Sequence, residues 1–337
     1  MKTVSIVTPC FNEEQNVVEL YERVRAVMGL IGEYRYEHIF IDNGSRDNTL
    51  AILKYIARTD HNVKVIANSR NFGPIRSPMH ALQQAHGDCV IGLSCDMQDP
   101  PELIADFLRE WERGIPIVVA VKRTSDGNRA IHWLRTRYYG LVNRLSDVKT
   151  YENFTGFGLY DRRVMDLIRS FNDPFPYFRG MIADIGLPHA EVVFNQPRRK
   201  KGVSKHSLFN LYEIAMLGIT SLSKVPLRIV TFTGFSLSAI SVLTAIGYLA
   251  YKLVYWNRFT TGMAPAIIGL FLVASIQLFF MGLLGEYIGA IHTQVQKRPL
   301  VVEKERINFE FGFGEPLHAA SLAQSAALEA LTSGSRP

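Results

Sequence analysis

The chain has 337 residues, of which 47% are hydrophobic and 20% charged, so it can bury a full-sized core and still carry an additional module. The 37 basic and 31 acidic side chains give a net charge of +6, which favours an anionic partner without distinguishing nucleic acid, a phosphorylated substrate and a lipid surface. Three irregularly spaced cysteines are too few for a disulfide framework or a zinc site, so we expect Cys10, Cys89 and Cys95 to be reduced and structural.

The N-terminal part of the chain alternates between buried strands and amphipathic helices. The first stretch, MKTVSIVTPC, predicts a strand and a turn rather than a signal peptide, because Thr8 and Pro9 interrupt its apolar run. Strand patterns follow in YEHIFIDNGS, NVKVIANS, DCVIGLSCD and IPIVVAVKR, and helical periodicity occurs in EEQNVVELYERVRAVMG and RDNTLAILKYIART. This alternation predicts an α/β domain with a mostly parallel, Rossmann-like sheet and helices on both faces.

Polar motifs follow four of the predicted strands, namely PCFNEE, DNGSRDNT, SRNFG and SCDMQDPP. Ligands of such sheets collect at the carboxyl ends of the strands, so these motifs predict the binding site. No G-x-G-x-x-G follows the first strand, which disfavours a nicotinamide enzyme.

The motif SCDMQDPP predicts a metal site. Its carboxylates would repel a phosphorylated substrate unless a divalent cation lay between them and the phosphate oxygens. Asp96 and Gln98 alternate with Met97, so on an extended backbone both would project to the same side and offer hard oxygen ligands to Mg²⁺ or Mn²⁺. We expect Asp99 instead to cap the following helix, PPELIADFLREW.

The C-terminal part predicts a membrane module. Residues 205–227 contain an amphipathic helix that ends near Pro226, either at a membrane surface or in a core. The runs 229–251 and 259–285 carry no charged residue, and each is long enough to cross the roughly 30 Å hydrocarbon core of a bilayer. They predict a transmembrane hairpin over residues 228–291, with spans at about 229–252 and 264–288.

Basic residues flank this hairpin unequally. Lys224 and Arg228 precede it and several basic residues follow it, whereas only Lys252 and Arg258 lie in the connection. This asymmetry predicts a multi-pass membrane protein with both termini cytoplasmic. The remaining segment, 292–337, ends in a stretch rich in Ala, Ser and Leu that fits a marginal helix or disorder.

Together, these motifs resemble the family 2 glycosyltransferases of the GT-A fold, and within them the bacterial polyisoprenyl-phosphate glycosyltransferases related to dolichyl-phosphate mannose synthase. The resemblance covers residues 3–299 and rests on the order and spacing of the motifs, including GEYIG and KRP after the hairpin. It implies a GT-A domain at 1–204 on the cytoplasmic side of the bacterial inner membrane. The implied reaction is transfer of a sugar from a UDP-sugar, with glucose favoured, to undecaprenyl or another polyprenyl phosphate.

The resemblance also implies roles for individual residues, each of which has a plain alternative as a turn, a cap or a basic surface. It assigns donor binding to Pro9, Phe11, Glu13, Asp42, Arg70, Gly73, Asp96, Gln98 and Ser204, with Asp96 and Gln98 also holding the metal. It assigns catalytic roles to Asp96, Arg179, Arg199 and Lys205, the cations neutralising the donor diphosphate and the lipid phosphate. We expect Gly73 to permit a close backbone approach.

Two positions depart from the family pattern. Ser94 stands where the usual D-A-D has its first carboxylate, and Gly156 stands where many relatives carry the carboxylate assigned as the general base. A phosphate acceptor ionises for the second time near pH 6, so we expect direct displacement with inversion and no obligatory base. Asp161 and Glu152 remain candidate helpers, each with a structural alternative.

Three further hypotheses follow from the sequence. A non-catalytic nucleotide-sugar-binding membrane scaffold fits the departures at Ser94 and Gly156. Within the enzyme class, the alternative is a family 2 glycosyltransferase with a soluble or protein acceptor. Nucleic-acid binding is disfavoured, because the basic residues cluster beside the membrane module without interleaved aromatic residues. The sequence leaves open the transferred sugar and a homo-oligomer.

Overall fold

A computed structural model describes residues 1–123, 151, 154–197, 216–217, 225–254, 263–296 and 298–309. The elements below are numbered over these residues. The strands are β1 (Thr3–Cys10), β2 (Arg35–Asp42), β3 (Val63–Asn68), β4 (Cys89–Gly92), β5 (Ile117–Lys122), β6 (Phe154–Asp161), β7 (His189–Phe194) and β8 (Glu303–Ile307). The helices are α1 (Val17–Ile31), α2 (Thr49–Thr59), α3 (Gly73–Gln84), α4 (Ile104–Glu112), α5 (Arg162–Phe171), α6 (Phe178–Ile185), α7 (Val225–Val254) and α8 (Met263–Val295).

The strands form one mixed sheet in the order β7-β5-β6-β4-β1-β2-β3-β8. Parallel pairs join β1 to β2 and to β4, β2 to β3, and β5 to β7. Antiparallel pairs join β6 to β4 and to β5, and β8 to β3. The predicted mostly parallel sheet is therefore confirmed, with three strands, β6 to β8, that the sequence patterns did not identify.

Helices cover both faces of the sheet, as predicted. The buried faces of α1, α2 and α4 pack in one hydrophobic cluster, which includes Leu20, Leu53 and Phe107. Helices α3, α5 and α6 pack in a second cluster on the other face, through residues such as Met79 and Ile168. The three cysteines are free and buried.

Strand β8 returns the chain to the sheet after the long helices α7 and α8. It forms the edge beyond β3, where Lys54 pairs with Glu305 and His80 lies 2.5 Å from Glu303. The Asn308 side chain donates hydrogen bonds to the carbonyl oxygens of Ala57 at 2.6 Å and Val63 at 2.8 Å. Residues 303–307, in the described part of the predicted segment 292–337, therefore belong to the sheet.

The two predicted spans lie in the long helices α7 and α8, whose large apolar side chains are exposed. Examples are Ile229, Phe232, Phe235 and Leu243 on α7, and Leu272, Leu278, Phe279 and Ile291 on α8. Within the described residues, the segment Leu272–Val295 is long and apolar enough to cross a membrane, and Val225–Ile240 is a shorter apolar helical segment. Of the predicted helix at 205–227, the structure describes residues 216–217, which are helical, and 225–227, which begin α7.

Candidate active site

The polar motifs meet at the carboxyl ends of β1, β2, β3 and β4, as predicted from the parallel alternation. Hydrogen bonds tie the loop after β1 to the loop after β2. The Asn12 amide donates to Ser45 Oγ at 2.9 Å, and the Glu13 amide donates to Thr49 Oγ1 at 2.8 Å. These bonds place Phe11 and Glu13 beside the end of β2.

Asp42, the last residue of β2, has a buried carboxylate that is 1% exposed. Its Oδ2 accepts a hydrogen bond from the Ser45 amide at 3.2 Å, whereas its buried Oδ1 has no partner among the described residues. Burial raises the pKa of this carboxyl group, although hydrogen bonds within the turn oppose the shift. An unpaired buried acceptor is costly, so this oxygen suits a ligand that brings an N–H or O–H donor.

A network of amide side chains, which the sequence analysis did not identify, holds the loop after β3. Asn43 Oδ1 accepts from the Phe72 amide at 2.9 Å and from Asn68 Nδ2 at 3.1 Å. Asn43 Nδ2 donates to Asn71 Oδ1 at 3.0 Å. In the sequence, the signal that could have indicated this network is the position of two asparagines. Asn43 directly follows β2, and Asn68 is the last residue of β3.

Two glycines shape this loop. Gly73 has a φ of +88°, which favours glycine, and a Cβ there would meet no atom of the described residues within 4 Å, so its close approach to a ligand stays a prediction. Within the protein, a close approach occurs at Gly44, where a Cβ would lie 2.7 Å from the backbone carbon of Arg70. Gly44 thus lets the loops after β2 and β3 touch.

Arg70 lies on this loop with its guanidinium 4.0 Å from the centre of the Phe72 ring, and the Arg76 guanidinium lies 5.5 Å from the same ring. Arg76 Nη2 donates to the carbonyl oxygen of Pro299 at 2.5 Å. Burial, and then the charges of Arg70 and Arg298, lower the pKa of Arg76. These arginines make the end of β3 strongly cationic.

The SCDMQDPP segment is a turn rather than the predicted extended strand. Met97 has a left-handed φ of 62°, and Asp96 Oδ1 accepts a hydrogen bond from the Gln98 amide at 3.2 Å. The expectation that Asp96 and Gln98 project together from an extended backbone is therefore wrong. The physical reason is the local bond from the Gln98 amide to the Asp96 side chain, which closes a turn instead.

Asp99 is not a helix cap, contrary to the prediction. Its carboxylate is 5% exposed and turns back toward Ser94, whose amide donates to Asp99 Oδ2 at 3.2 Å and whose hydroxyl also bonds to Asp99 Oδ2. Pro100 precedes the short 3₁₀ turn Pro101–Leu103 with no side-chain cap. Burial raises the pKa of Asp99, while the Ser94 hydrogen bonds act in the opposite direction.

The oxygens around Ser94 fit a divalent cation. Ser94 Oγ lies 3.1 Å from Asp96 Oδ1 as well as against Asp99 Oδ2, yet a hydroxyl has a single proton to offer two carboxylates. Hard oxygen ligands of this kind are those that Mg²⁺ and Mn²⁺ prefer. The described residues contain no group of three or more His, Cys, Asp or Glu arranged as a metal site, so Ser94 and Gln98 would have to complete the ligand set.

A cavity of about 390 Å³ opens beside Ser94 and Asp99. Its wall also includes Pro9, Gly156 and Arg179, so it brings together residues from β1, β4, β6 and α6. The rest of the lining is mostly apolar: Val7, Pro74, Ile75, Pro78, Met79, Leu82, Gly92, Leu93, Phe157, Pro176, Tyr177, Phe178 and Leu217. Arg179 lies in the first turn of α6 rather than on a loop as expected.

Gly156 faces this cavity with a φ of 103°, a conformation that disfavours any side chain. Its carbonyl oxygen accepts a hydrogen bond from the Tyr160 hydroxyl at 2.9 Å. Asp161 caps α5, accepting from the Arg163 amide at 2.9 Å, and also accepts from Trp111 Nε1 at 2.8 Å. Asp161 is therefore structural, whereas Glu152 lies outside the described residues.

The structure thus brings nine of the assigned residues to one edge of the sheet: Pro9, Phe11, Glu13, Asp42, Arg70, Gly73, Asp96, Gln98 and Arg179. Arg199, Ser204 and Lys205 lie outside the described residues, so their placement stays a prediction. Asp99 and the asparagine network are the parts of the site that the sequence analysis missed.

Comparison with known proteins identifies the chain's relatives. The family model described as Glycosyl transferase family 2 matches residues 5–169. The bactoprenol glucosyl transferase of Shigella phage SfII is 32% identical over 307 residues, which cover 90% of this chain and 97% of that protein. The chain belongs to the family 2 glycosyltransferases.

Further relatives of this glycosyltransferase have the same extent. The prophage bactoprenol glucosyl transferase homolog of Escherichia coli K12 is 30% identical over 306 residues, covering 89% of this chain and 98% of that protein. The family model described as GtrB C-terminal hairpin matches residues 225–291, the region of α7 and α8. The predicted family membership is confirmed over both parts of the chain.

Among solved structures, a glucosyl-3-phosphoglycerate synthase of Mycobacterium tuberculosis, crystallised with Mn²⁺, UDP and phosphoglyceric acid, is 20% identical to this glycosyltransferase. The match has a TM-score of 0.46 and covers 65% of this chain and 76% of that one.

Proposed function

We propose that this glycosyltransferase moves a sugar, with glucose as the first candidate, from a UDP-sugar to undecaprenyl or another polyprenyl phosphate. The cavity beside Ser94 carries this proposal. It combines the guanidinium of Arg179, the hydroxyl of Ser94 and the carboxylate of Asp99, which the metal would offset, with walls that are otherwise mostly apolar. Such a lining suits a phosphate attached to a hydrocarbon chain better than a sugar or peptide acceptor, whose many polar groups would lack partners there.

The donor would lie across the strand ends. The unpaired Oδ1 of Asp42 is suited to accept a hydrogen bond from the N–H of the uracil base, and Pro9, Phe11 and Glu13 lie on the adjoining loop. Arg70 and the backbone at Gly73 would lie along the nucleotide on the other side. Asp96, Gln98 and Ser204 remain the proposed contacts to the diphosphate side of the donor.

The reaction would be a direct displacement at the anomeric carbon with inversion. A divalent ion, Mg²⁺ or Mn²⁺, held by Asp96 and Gln98 would neutralise charge on the leaving diphosphate when bound. Arg179, Arg199 and Lys205 would hold the attacking lipid phosphate and stabilise charge on the phosphates. That phosphate is largely ionised at neutral pH, so it can attack without a general base, and the lack of a carboxylate at Gly156 does not prevent the reaction.

The hairpin would place this chemistry at the cytoplasmic face of the bacterial inner membrane. The exposed apolar side chains of α7 and α8 form a surface that a bilayer would cover, with the helix at 205–227 at the membrane surface. The charge asymmetry supports cytoplasmic termini in a multi-pass arrangement. The relatives named bactoprenol glucosyl transferase support the lipid acceptor.

The test is sugar transfer by the full-length protein in detergent, with Mg²⁺ or Mn²⁺, a panel of radiolabelled UDP-sugars and undecaprenyl phosphate. We expect labelled lipid and free UDP in equal amounts, with UDP-glucose the best donor. Asp96→Asn should reduce the rate by orders of magnitude, because it removes a charge next to the diphosphate worth several kcal/mol. Free UDP without labelled lipid, but with a labelled soluble acceptor, would contradict the proposal.

A further inference from the structure

Position 94 raises a question that the proposed function leaves open. The resemblance places a carboxylate there, and this chain has Ser94, whose hydroxyl carries no charge at neutral pH. A divalent ion held at Asp96 alone would keep one of its two positive charges without a protein carboxylate to offset it. The described residues nearby therefore decide whether a second carboxylate is within reach.

Asp99 is that carboxylate. Although it lies five residues along the chain from Ser94, the turn at Met97 brings it back, so that Ser94 Oγ contacts Asp99 Oδ2 and lies 3.1 Å from Asp96 Oδ1. Ser94 thus stands between two carboxylates. Asp99 also lines the 390 Å³ cavity, so its position is on the substrate side of the turn.

The charge around Ser94 is unbalanced. The salt bridges within the described part of the chain include neither Asp96 nor Asp99, while Asp99 is 5% exposed. The charge of Lys122 acts on Asp99, but two adjacent carboxylates, one of them buried, carry more negative charge than one lysine and a single hydroxyl proton offset. A cation placed against these oxygens would satisfy both.

We propose that Asp99 supplies the second carboxylate of the divalent-metal site, in place of the carboxylate that Ser94 lacks. This inference rests on the proposed function, which requires a metal beside the diphosphate. Asp96 and Asp99 then provide the two negative charges, and Gln98 provides an uncharged oxygen. The ligand pair is spread over a turn instead of over one strand.

Mn²⁺ binding to the full-length protein in detergent tests this directly, because the free ion gives an electron paramagnetic resonance signal that is lost on binding. Asp99→Asn should weaken Mn²⁺ binding at least about tenfold, which corresponds to roughly 1.4 kcal/mol. Adding Ser94→Asp to Asp99→Asn should restore the affinity to within about threefold of the wild type, because it returns a carboxylate to the same place. Asp88→Asn, which changes an aspartate that accepts a hydrogen bond from the Thr3 amide at the opposite end of β1, is the matched control.

Wild-type affinity in Asp99→Asn, or no recovery in the folded double variant, would overturn the inference and leave Asp99 as a residue that only shapes the turn. If Asp99→Asn does not fold, Ser94→Asp alone serves as the test. Three carboxylates would then surround the ion, so Mn²⁺ affinity must rise, and unchanged affinity would contradict the proposal. A wild type that transfers sugar to the lipid but binds no Mn²⁺ would overturn this inference and the metal's part in the mechanism, while the transfer of sugar to polyprenyl phosphate would stand.

Discussion

Arg76 in the first turns of α3 donates a hydrogen bond to the carbonyl oxygen of Pro299, which lies 223 residues further along the chain. Leu300 and Val301 follow in the hydrophobic cluster beneath α3, and β8 then completes the sheet. Five residues before Pro299, Gln294 near the end of α8 donates a hydrogen bond to Asp173 Oδ1 at 2.8 Å. The end of the second long helix is therefore fastened to the catalytic domain at two separate places.

This fastening predicts that two ways of removing the hairpin give different proteins. Replacing residues 229–291 by a flexible linker should leave a domain that binds UDP-sugar but no longer transfers sugar to the long-chain lipid, because presentation at the interface is lost. Ending the chain at residue 228 should also remove β8, Leu300 and Val301 and lower stability by at least about 2 kcal/mol. For a domain of this size, the melting temperature should then be lower by about 4 °C or more than that of the linker protein. Equal melting temperatures would show that β8 contributes nothing to the catalytic domain.

The Glu303 carboxylate on β8 predicts that the protein loses stability at acidic pH. Burial alone would raise its pKa, but hydrogen bonds from His80 and Arg306 outweigh burial and lower the pKa from 4.5 to about 2. A depressed pKa contributes stability that is present above pH 4.5 and is lost as the pH falls toward 2. The contribution is on the order of 1–3 kcal/mol. Glu303→Gln should therefore flatten the fall in melting temperature between pH 4.5 and pH 3, whereas an unchanged profile would assign the acid loss to other groups.

The backbone conformation of Gly156 predicts that an aspartate introduced at this position will not improve catalysis. With a φ of 103°, an aspartate at this position would be strained by about 1–3 kcal/mol. Gly156→Asp should therefore lower the melting temperature and should not raise the rate of transfer to polyprenyl phosphate. Gly156→Ala is the matched control, because it has the same backbone strain without a carboxylate. A Gly156→Asp enzyme faster than wild type would mean that proton removal limits the reaction.

The unpaired oxygen of Asp42 predicts a selective effect on nucleotide binding. Asp42→Asn can keep the acceptor bond to the Ser45 amide but presents an NH₂ group in place of Oδ1 toward the base. We expect UDP affinity, measured by calorimetry, to fall by about tenfold to a hundredfold, or 1.4–2.8 kcal/mol. Asp166→Asn on the exposed face of α5 should leave the affinity unchanged. Wild-type affinity in Asp42→Asn would remove this residue from the donor site.

Substitution of Arg199, which precedes the proposed membrane-surface helix, should affect sugar transfer more than donor binding. If it holds the lipid phosphate, Arg199→Ala should keep UDP affinity within about tenfold, roughly 1.4 kcal/mol, yet lose most of the transfer rate. The metal and Arg70 would still hold the donor, while the acceptor phosphate would lose a guanidinium. A parallel fall in affinity and rate would instead place the loop at the donor.

The sequence predicted the part of the fold that has a strong local pattern. Apolar runs identified β1 to β5, and their parallel alternation placed the strand-end motifs together. It did not identify β8, because EKERI is mostly charged and its partner β3 lies more than 200 residues earlier in the chain. Edge strands are commonly charged, so period and composition give little signal.

Within the site, the errors have one cause. Asp99 and Gln98 were interpreted from standard local conformations, a helix cap and an extended strand. The positive φ of Met97 and the hydrogen bond from the Ser94 amide to Asp99 redirect the backbone at these points. Such bonds join residues that no periodic pattern connects, so only the three-dimensional arrangement reveals them.

The position of β8 also has a consequence for how the protein is made. Synthesis proceeds from the N-terminus, so β3 is translated long before β8, the strand that pairs with its outer edge. That edge stays uncovered until both α7 and α8 have been translated, and a bare strand edge is where chains associate wrongly. The catalytic domain can therefore reach its final state only after the hairpin has emerged, which couples maturation of the site to synthesis of the hairpin.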